Sequence, residues 1–145
     1  MATRSSSLLA QRTRRIVANL KKTYPDAHCE LNHSDPIQLL VATILSAQCT
    51  DARVNKVTPA LFQRCRTAKE FADIPSAELE NLIRATGFFR SKAKSIRDCA
   101  AALVENHGGE VPRTMEDLHK LSGVGRKTAN VVLGNALDRK STRLN

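Results

Sequence analysis

The chain has 145 residues, enough for one ordinary domain with its own core and too few for two large ones. Apolar residues make up 41% and aromatics only 3%, with no Trp, so Leu, Ile, Val and Ala must supply the packing. Twenty-three Lys and Arg against 14 acids leave a net charge of +9, which puts nucleic acid first among partner classes, ahead of an anionic membrane surface.

Residues 1–15 are rich in Ser and Arg and free of acids, and are expected to form a basic, partly disordered leader rather than a targeting peptide. No apolar run approaches the roughly 20 residues that a membrane-spanning helix needs, and the N-terminus lacks a hydrophobic signal core. A cytoplasmic, nucleoid-associated protein without a membrane partner is the expectation. Ile16, Val17 and Leu20 predict the apolar face of a first helix ending near Pro25. Asp35-Pro36 supplies an N-cap followed by Pro at the first helical position, opening a helix through Leu39, Leu40, Ile44 and Leu45 that is apolar nearly all round and therefore central.

Thr50-Asp51 starts the next helix, with Val54, Val57 and Leu61 inward and Asp51 in a structural, helix-capping role. Thr67 and Glu70 form a capping box over a short helix bearing Phe71 and Ile74. Ser76 is expected to cap a helix that turns Leu79, Leu82 and Ile83 inward and closes at Gly87, and a longer one runs from Phe89 to Asn106 before Gly108-Gly109. Thr114 caps the segment leading to Leu121, and Thr128 to Leu137 forms the last helix. No stretch alternates strictly, so the fold is predicted all-α: a compact helical barrel or bundle of about eight short helices over residues 16–137, while 138–145 is expected to be a truncated end or a foreign junction.

The four cysteines, Cys29, Cys49, Cys65 and Cys99, contain no Cys-x-x-Cys pair, so neither a zinc nor an iron–sulfur site is written here. Buried or inert thiols are expected instead, and no metal or cofactor ligated by this chain. Arg90, Lys92, Lys94 and Arg97 form a basic stretch that either faces phosphates or is a solvated helix face.

Gly123-Val124-Gly125 separates a helix ending at Leu121 from another starting immediately after, which collects unpaired backbone N–H groups on one exposed corner. Such donors suit a phosphate, and glycines there allow positive φ and a close approach of the sugar-phosphate chain. Val124 is expected to tuck inward and lock the turn. Contact of this kind reads backbone rather than bases, so it gives affinity and register but little specificity. Lys127 lies in the first turn of the last helix, where the helix dipole and Arg126 both disfavour the ammonium form and favour a nucleophilic amine. A plain phosphate-contacting cation is the alternative.

The string Leu121-Ser122-Gly123-Val124-Gly125-Arg126-Lys127-Thr128, with Leu118 before it and Ala129-Asn130-Val131-Val132-Leu133 after, closely resembles the helix-hairpin-helix of the endonuclease III family of DNA glycosylases. Leu39 to Asp51, with Ser46-Ala47-Gln48-Cys49-Thr50-Asp51 as its turn, Gly87-Phe88-Phe89-Arg90-Ser91-Lys92-Ala93 and Gly109-Glu110-Val111-Pro112 resemble further segments in the family's order, so about residues 8–137 are covered. The resemblance implies base-excision repair of oxidised pyrimidines and cleavage at abasic sites. Lys127 is then the nucleophile that forms a Schiff base with the sugar, and an adenine-mismatch glycosylase is the less fitting relative. Leu121, Gly123, Val124, Gly125, Arg126 and Thr128 are implied in holding DNA, with Lys92 from Ser91-Lys92-Ala93.

A glycosylase that extrudes a nucleotide leaves a hole in the duplex. By resemblance Gln48 is the plug and Phe88 a candidate wedge. A helix-end Gln bonding local carbonyls and a core Phe are the alternatives. The implied partner is double-stranded DNA with a damaged base or abasic site, bound by a monomer. The family's Val-Asp-Thr-His-like string, whose Asp assists the lysine, has no counterpart here. Asp138, 11 residues past Lys127 and about 16 Å along a helix, does not replace it. The four-cysteine segment that holds the family's [4Fe–4S] cluster is also absent, so a truncated or catalytically impaired DNA-binding form of the enzyme is the alternative expectation.

Overall fold

The computed structural model describes residues 10–15 and 31–137. Residues 10–15 are helical and exposed. Ile16, Val17, Leu20, Cys29, Asp138 and the tail lie outside the described residues.

Helix α1, Pro36–Leu45, starts where the Asp35 side chain accepts from the Gln38 N–H at 2.9 Å and Pro36 occupies the first turn. Every residue from Leu39 to Leu45 is buried, which makes α1 the central helix that its all-round apolarity predicts. Helix α2, Asp51–Arg64, is capped by Thr50, whose side chain accepts from the Arg53 N–H. Thr50 therefore takes the capping role expected of Asp51, which sits instead in the first turn as an acid at the positive helix end.

Thr67 caps α3, Ala68–Asp73, as expected, its Oγ1 accepting from the Glu70 N–H, while the returning Glu70 carboxylate accepts from the N–H of Arg66, one residue before the cap. Helix α4, Ser76–Ile83, is preceded by Pro75, and Ser76 is already helical, its hydroxyl accepting from the Arg97 guanidinium. The cap expected of Ser76 is thus absent. A 3-10 turn, Arg84–Thr86, intervenes before Gly87, which sequence periodicity alone does not separate from α4.

Helix α5 runs from Phe89 to Asn106, as predicted, and Gly109 closes it by donating to Leu103 O at 2.8 Å. Helix α6, Met115–His119, is capped by Thr114. Helix α7 covers Arg126–Val132, two residues earlier than expected, and continues as a π-turn over Leu133–Leu137. The described residues contain no strand, and the fold is all-α.

One core joins these elements. Leu39, Leu40 and Leu45 of α1, Leu61 of α2, Phe71 of α3, Leu79 and Ile83 of α4, Ile96 and Leu103 of α5 and Leu118 are all within 2% of complete burial. Helix α5 packs on α3 and α4, while α1 lies against α7, α5 and α2. The C-terminal end of α1, the start of α5 and the hairpin between α6 and α7 consequently meet at one place.

Candidate nucleic-acid interface

Two turns of unusual backbone shape one side of this meeting point. After Leu45 the chain tightens, with the Ser46 N–H donating to Ala42 O and Thr43 O and the Cys49 N–H donating to Ser46 O. Gln48 is left in the left-handed region at φ +52° with its side chain exposed. The second turn follows Arg84–Thr86: Gly87 has φ +74° and Phe88 φ +44°, and the Phe88 ring is 66% exposed. A non-glycine residue held left-handed costs about 1–2 kcal/mol, and such positions gather at functional sites. Among the described residues, Gln48 and Phe88 are the non-glycines with positive φ.

Both line one open hollow of about 240 Å³, together with Ile44, Ala47, Ser91, Lys92, Ser95 and Gly123. The structure thus brings together the expected plug, the expected wedge and the first glycine of the hairpin. Gln48 and Phe88 are both exposed, so the alternative of a core Phe does not hold.

In the hairpin, the Leu121 N–H donates to Leu118 O and the Val124 N–H to Leu121 O, while both side chains are buried. Leu121 and Val124 therefore fix the shape of the turn, and Val124 tucks inward as expected. Gly123 has φ +75°, and a Cβ there would lie 2.8 Å from Ser95 Cβ and 3.1 Å from Ser95 Oγ. The glycine is needed for packing on α5 as well as for backbone shape. Gly125 differs from the expectation: its φ is −87°, and a Cβ would meet nothing within 4 Å. It caps α7 without a side-chain bond, which leaves the first N–H groups of that helix open to an outside acceptor. Arg126 and Lys127 are exposed and Thr128 is half-buried. Lys127 stands in the first turn of α7, apart from the residues that line the hollow.

Lys92 requires a correction. Expected to reach phosphates, it is 5% exposed, and its Nζ donates inward to Leu45 O and Thr86 O, each at 2.8 Å. Helical periodicity puts Lys92 on the face of α5 that carries Ala93 and Ile96 inward, and two helix-end carbonyls accept its ammonium. The expected basic stretch divides accordingly. Arg90 and Lys94 are exposed, while Arg97 donates to Ser76. Arg84, which no sequence pattern singles out, has its guanidinium 4.7 Å from the Phe89 ring centroid, with that of Arg90 at 5.7 Å. The spacing Arg84–Phe89 crosses a turn, so no helical pattern signals it.

Cys49, Cys65 and Cys99 are free thiols, the last two buried. Burial pushes the Cys99 thiol pKa up to about 12 and raises that of Cys65 as well. Among the described residues no three His, Cys, Asp or Glu side chains converge.

Residues 41–144 match the family described as HhH-GPD superfamily base excision DNA repair protein. The chain belongs to the HhH-GPD superfamily. The superfamily match takes in α1 from Val41 onward, both left-handed residues and the whole hairpin through Lys127. The chain is 59% identical to the Endonuclease III of Synechocystis sp. over 126 residues, covering 87% of this chain and 58% of that protein. Against the Endonuclease III of Bacillus subtilis it is 50% identical over 113 residues, or 78% of this chain and 52% of that one. Its structure superposes on the protein of a non-covalent Endonuclease III-DNA complex with a TM-score of 0.83 and 50% identity, covering 88% of this chain and 60% of that one. A thermostable thymine-DNA glycosylase shares the HhH-GPD fold at a TM-score of 0.82 and 21% identity. The chain spans between half and two thirds of the length of these relatives.

Proposed function

We propose that this chain carries the lesion-gripping helical part of a DNA glycosylase and abasic-site lyase that removes oxidised pyrimidines from duplex DNA. One observation carries the reading: Gln48 and Phe88, two exposed residues in left-handed turns, rim the same hollow beside a glycine hairpin. An enzyme working on a base inside a duplex must extrude it at a cost of a few kcal/mol, and side chains held rigidly at the surface offset that cost by filling the gap. Gln48 offers an amide that can donate to and accept from an orphaned base edge. Phe88 offers a ring face for stacking. The hairpin N–H groups, with Arg126, hold the phosphates and set the register.

Lys127 supplies the nucleophile. The lone pair of its nitrogen attacks C1′ of the damaged nucleoside, the C1′–N bond breaks, and the base leaves with that electron pair and takes up a proton. Loss of a proton from the nitrogen and opening of the sugar ring give an iminium at C1′. A base removes a C2′ proton, and the C3′–O bond breaks to release the 3′ phosphate. Water then hydrolyses the imine and frees the lysine. Support comes from the position of Lys127 in the first exposed turn of α7 and from the likeness to a protein whose structure is that of a trapped Endonuclease III-DNA covalent intermediate.

Borohydride reduces an iminium to a stable amine, so incubation with abasic-site DNA and borohydride is expected to yield a covalent protein–DNA adduct that Lys127→Ala does not form. An adduct formed equally by Lys127→Ala overturns the assignment. Duplex binding with no adduct from the native chain assigns this stretch a binding role without turnover.

A further inference from the structure

One buried charge stands outside the chemistry assigned above. Lys92, in the first turn of α5, directs its ammonium to Leu45 O and Thr86 O, and no carboxylate among the described residues pairs with it. Leu45 is the last residue of α1 and Thr86 the last of the 3-10 turn. Carbonyls at such ends lack intrahelical partners and carry the negative pole of the helix, which suits them to a cation buried without an anion. Burial holds the Lys92 pKa below the ordinary lysine value, with Cys49 acting in the opposite sense.

Each carbonyl lies a short way upstream in sequence of a residue that lines the hollow. Gln48 follows Leu45 by three residues, and Phe88 follows Thr86 by two. Left-handed non-glycine residues persist only where their surroundings over-determine them. The same ammonium therefore grips the chain just upstream of both strained residues, while its own backbone N–H donates to Phe88 O at 2.9 Å. The geometry points to Lys92 as a positioning residue that ties the Gln48 and Phe88 turns together and holds both side chains ready for the gap in the duplex. This inference deepens the proposed function and rests on it.

The test separates the two. The chain has no Trp, so Phe88→Trp introduces a unique fluorophore at the wedge, and Phe62→Trp a control in α2 away from the hollow. Lys92→Met keeps an unbranched apolar side chain and removes both donors, whereas Lys92→Arg keeps a cation with several donors. In the Phe88→Trp background, Lys92→Met is expected to lower the fluorescence anisotropy and raise acrylamide quenching, Lys92→Arg to restore both in part, and the Phe62→Trp control to stay unchanged. This measurement uses no DNA, so it reads the strut even if the proposed function fails.

In the otherwise native chain, Lys92→Met is expected to cut the preference for a duplex with a stable abasic-site analogue over an undamaged duplex by about tenfold, the scale of one lost charge-assisted hydrogen bond. The same change in a Gln48→Ala/Phe88→Ala background should leave the remaining preference unaltered, because Lys92 then has nothing to position. Unchanged anisotropy at position 88, or an equal loss of preference in both backgrounds, overturns the inference. An equal change at the Phe62→Trp control also overturns it, by showing a general loss of packing. A native chain without lesion preference overturns the proposed function instead, while the anisotropy result still decides the strut.

Discussion

Replacing Gly123 and Gly125 separately by Ala distinguishes the two jobs of the hairpin. At Gly123, with φ +75°, an L residue costs about 1–2 kcal/mol in backbone energy. The new Cβ also lies 2.8 Å from Ser95 Cβ, so α5 or the hairpin must shift, and overpacking of this kind costs about 1–3 kcal/mol. Together these predict that Gly123→Ala loses about 2–5 kcal/mol of folding stability. At Gly125 the backbone is already in a region open to any residue, and nothing stands within 4 Å of the added methyl. Gly125→Ala should change stability by less than about 1 kcal/mol, the small cost of a poorer N-cap being offset by reduced freedom of the unfolded chain.

Urea unfolding followed by far-ultraviolet circular dichroism measures both changes. Ser95→Gly removes both of the close side-chain atoms, so in that background Gly123→Ala should be milder by about 1–3 kcal/mol, a direct coupling between hairpin and α5. Duplex binding by fluorescence anisotropy completes the comparison. If the open end of α7 holds a phosphate as proposed, Gly125→Ala should weaken binding in the folded protein, because the methyl would stand in its path. Equal stability losses at the two glycines, or no coupling to Ser95, would refute the packing argument.

Burial supplies a second contrast: Phe71→Ala, at 1% exposure, should cost about 3–5 kcal/mol, whereas Phe88→Ala, at 66%, should leave the unfolding midpoint almost unchanged and weaken only lesion binding. Cys99 predicts an alkaline effect. Its folded pKa of about 12 exceeds the reference 9.0, so the folded state keeps a proton that the unfolded chain releases, and stability is lost as pH rises through that window. Urea unfolding at successive pH values above 9 should show native-minus-Cys99→Ala stability falling by about 1.4 kcal/mol per pH unit, and parallel curves would contradict this. Asp35→Ala should destabilise by about 1 kcal/mol by removing the acceptor for the Gln38 N–H, read as a lower unfolding midpoint.

Local chemistry made much of the fold readable before any coordinates. Asp35-Pro36, the Thr67–Glu70 pair and Gly108-Gly109 specify helix ends through their own hydrogen bonds and backbone angles, and α1, α3 and α5 begin or end where these residues place them. Ser76 misled because a proline before it starts the helix one residue early and its hydroxyl is taken by Arg97, a partner 21 residues away. The same limit governs the site. Gln48, Phe88 and the hairpin were visible as motifs, but their convergence on one hollow depends on how α1, α5 and α7 cross. The burial of Lys92 is not legible in the sequence, because a basic residue in a basic stretch looks solvated and only tertiary packing brings two helix-end carbonyls to its ammonium. Gly125 is the reverse case: a Gly-x-Gly pair suggests a positive φ that the chain does not use there.

In the proposed function, Gln48 and Phe88 grip a gap in duplex DNA beside a backbone-holding hairpin. Equilibrium binding of the native chain and of Gln48→Ala/Phe88→Ala to paired duplexes, one undamaged and one with a stable abasic-site analogue, tests it most directly. The native chain should prefer the abasic duplex, and the double variant should lose at least about tenfold of that preference, the scale of one base–aromatic stack, while still binding the undamaged duplex. Equal affinities for the two duplexes in the native chain, or a preference that survives removal of both side chains, would contradict it.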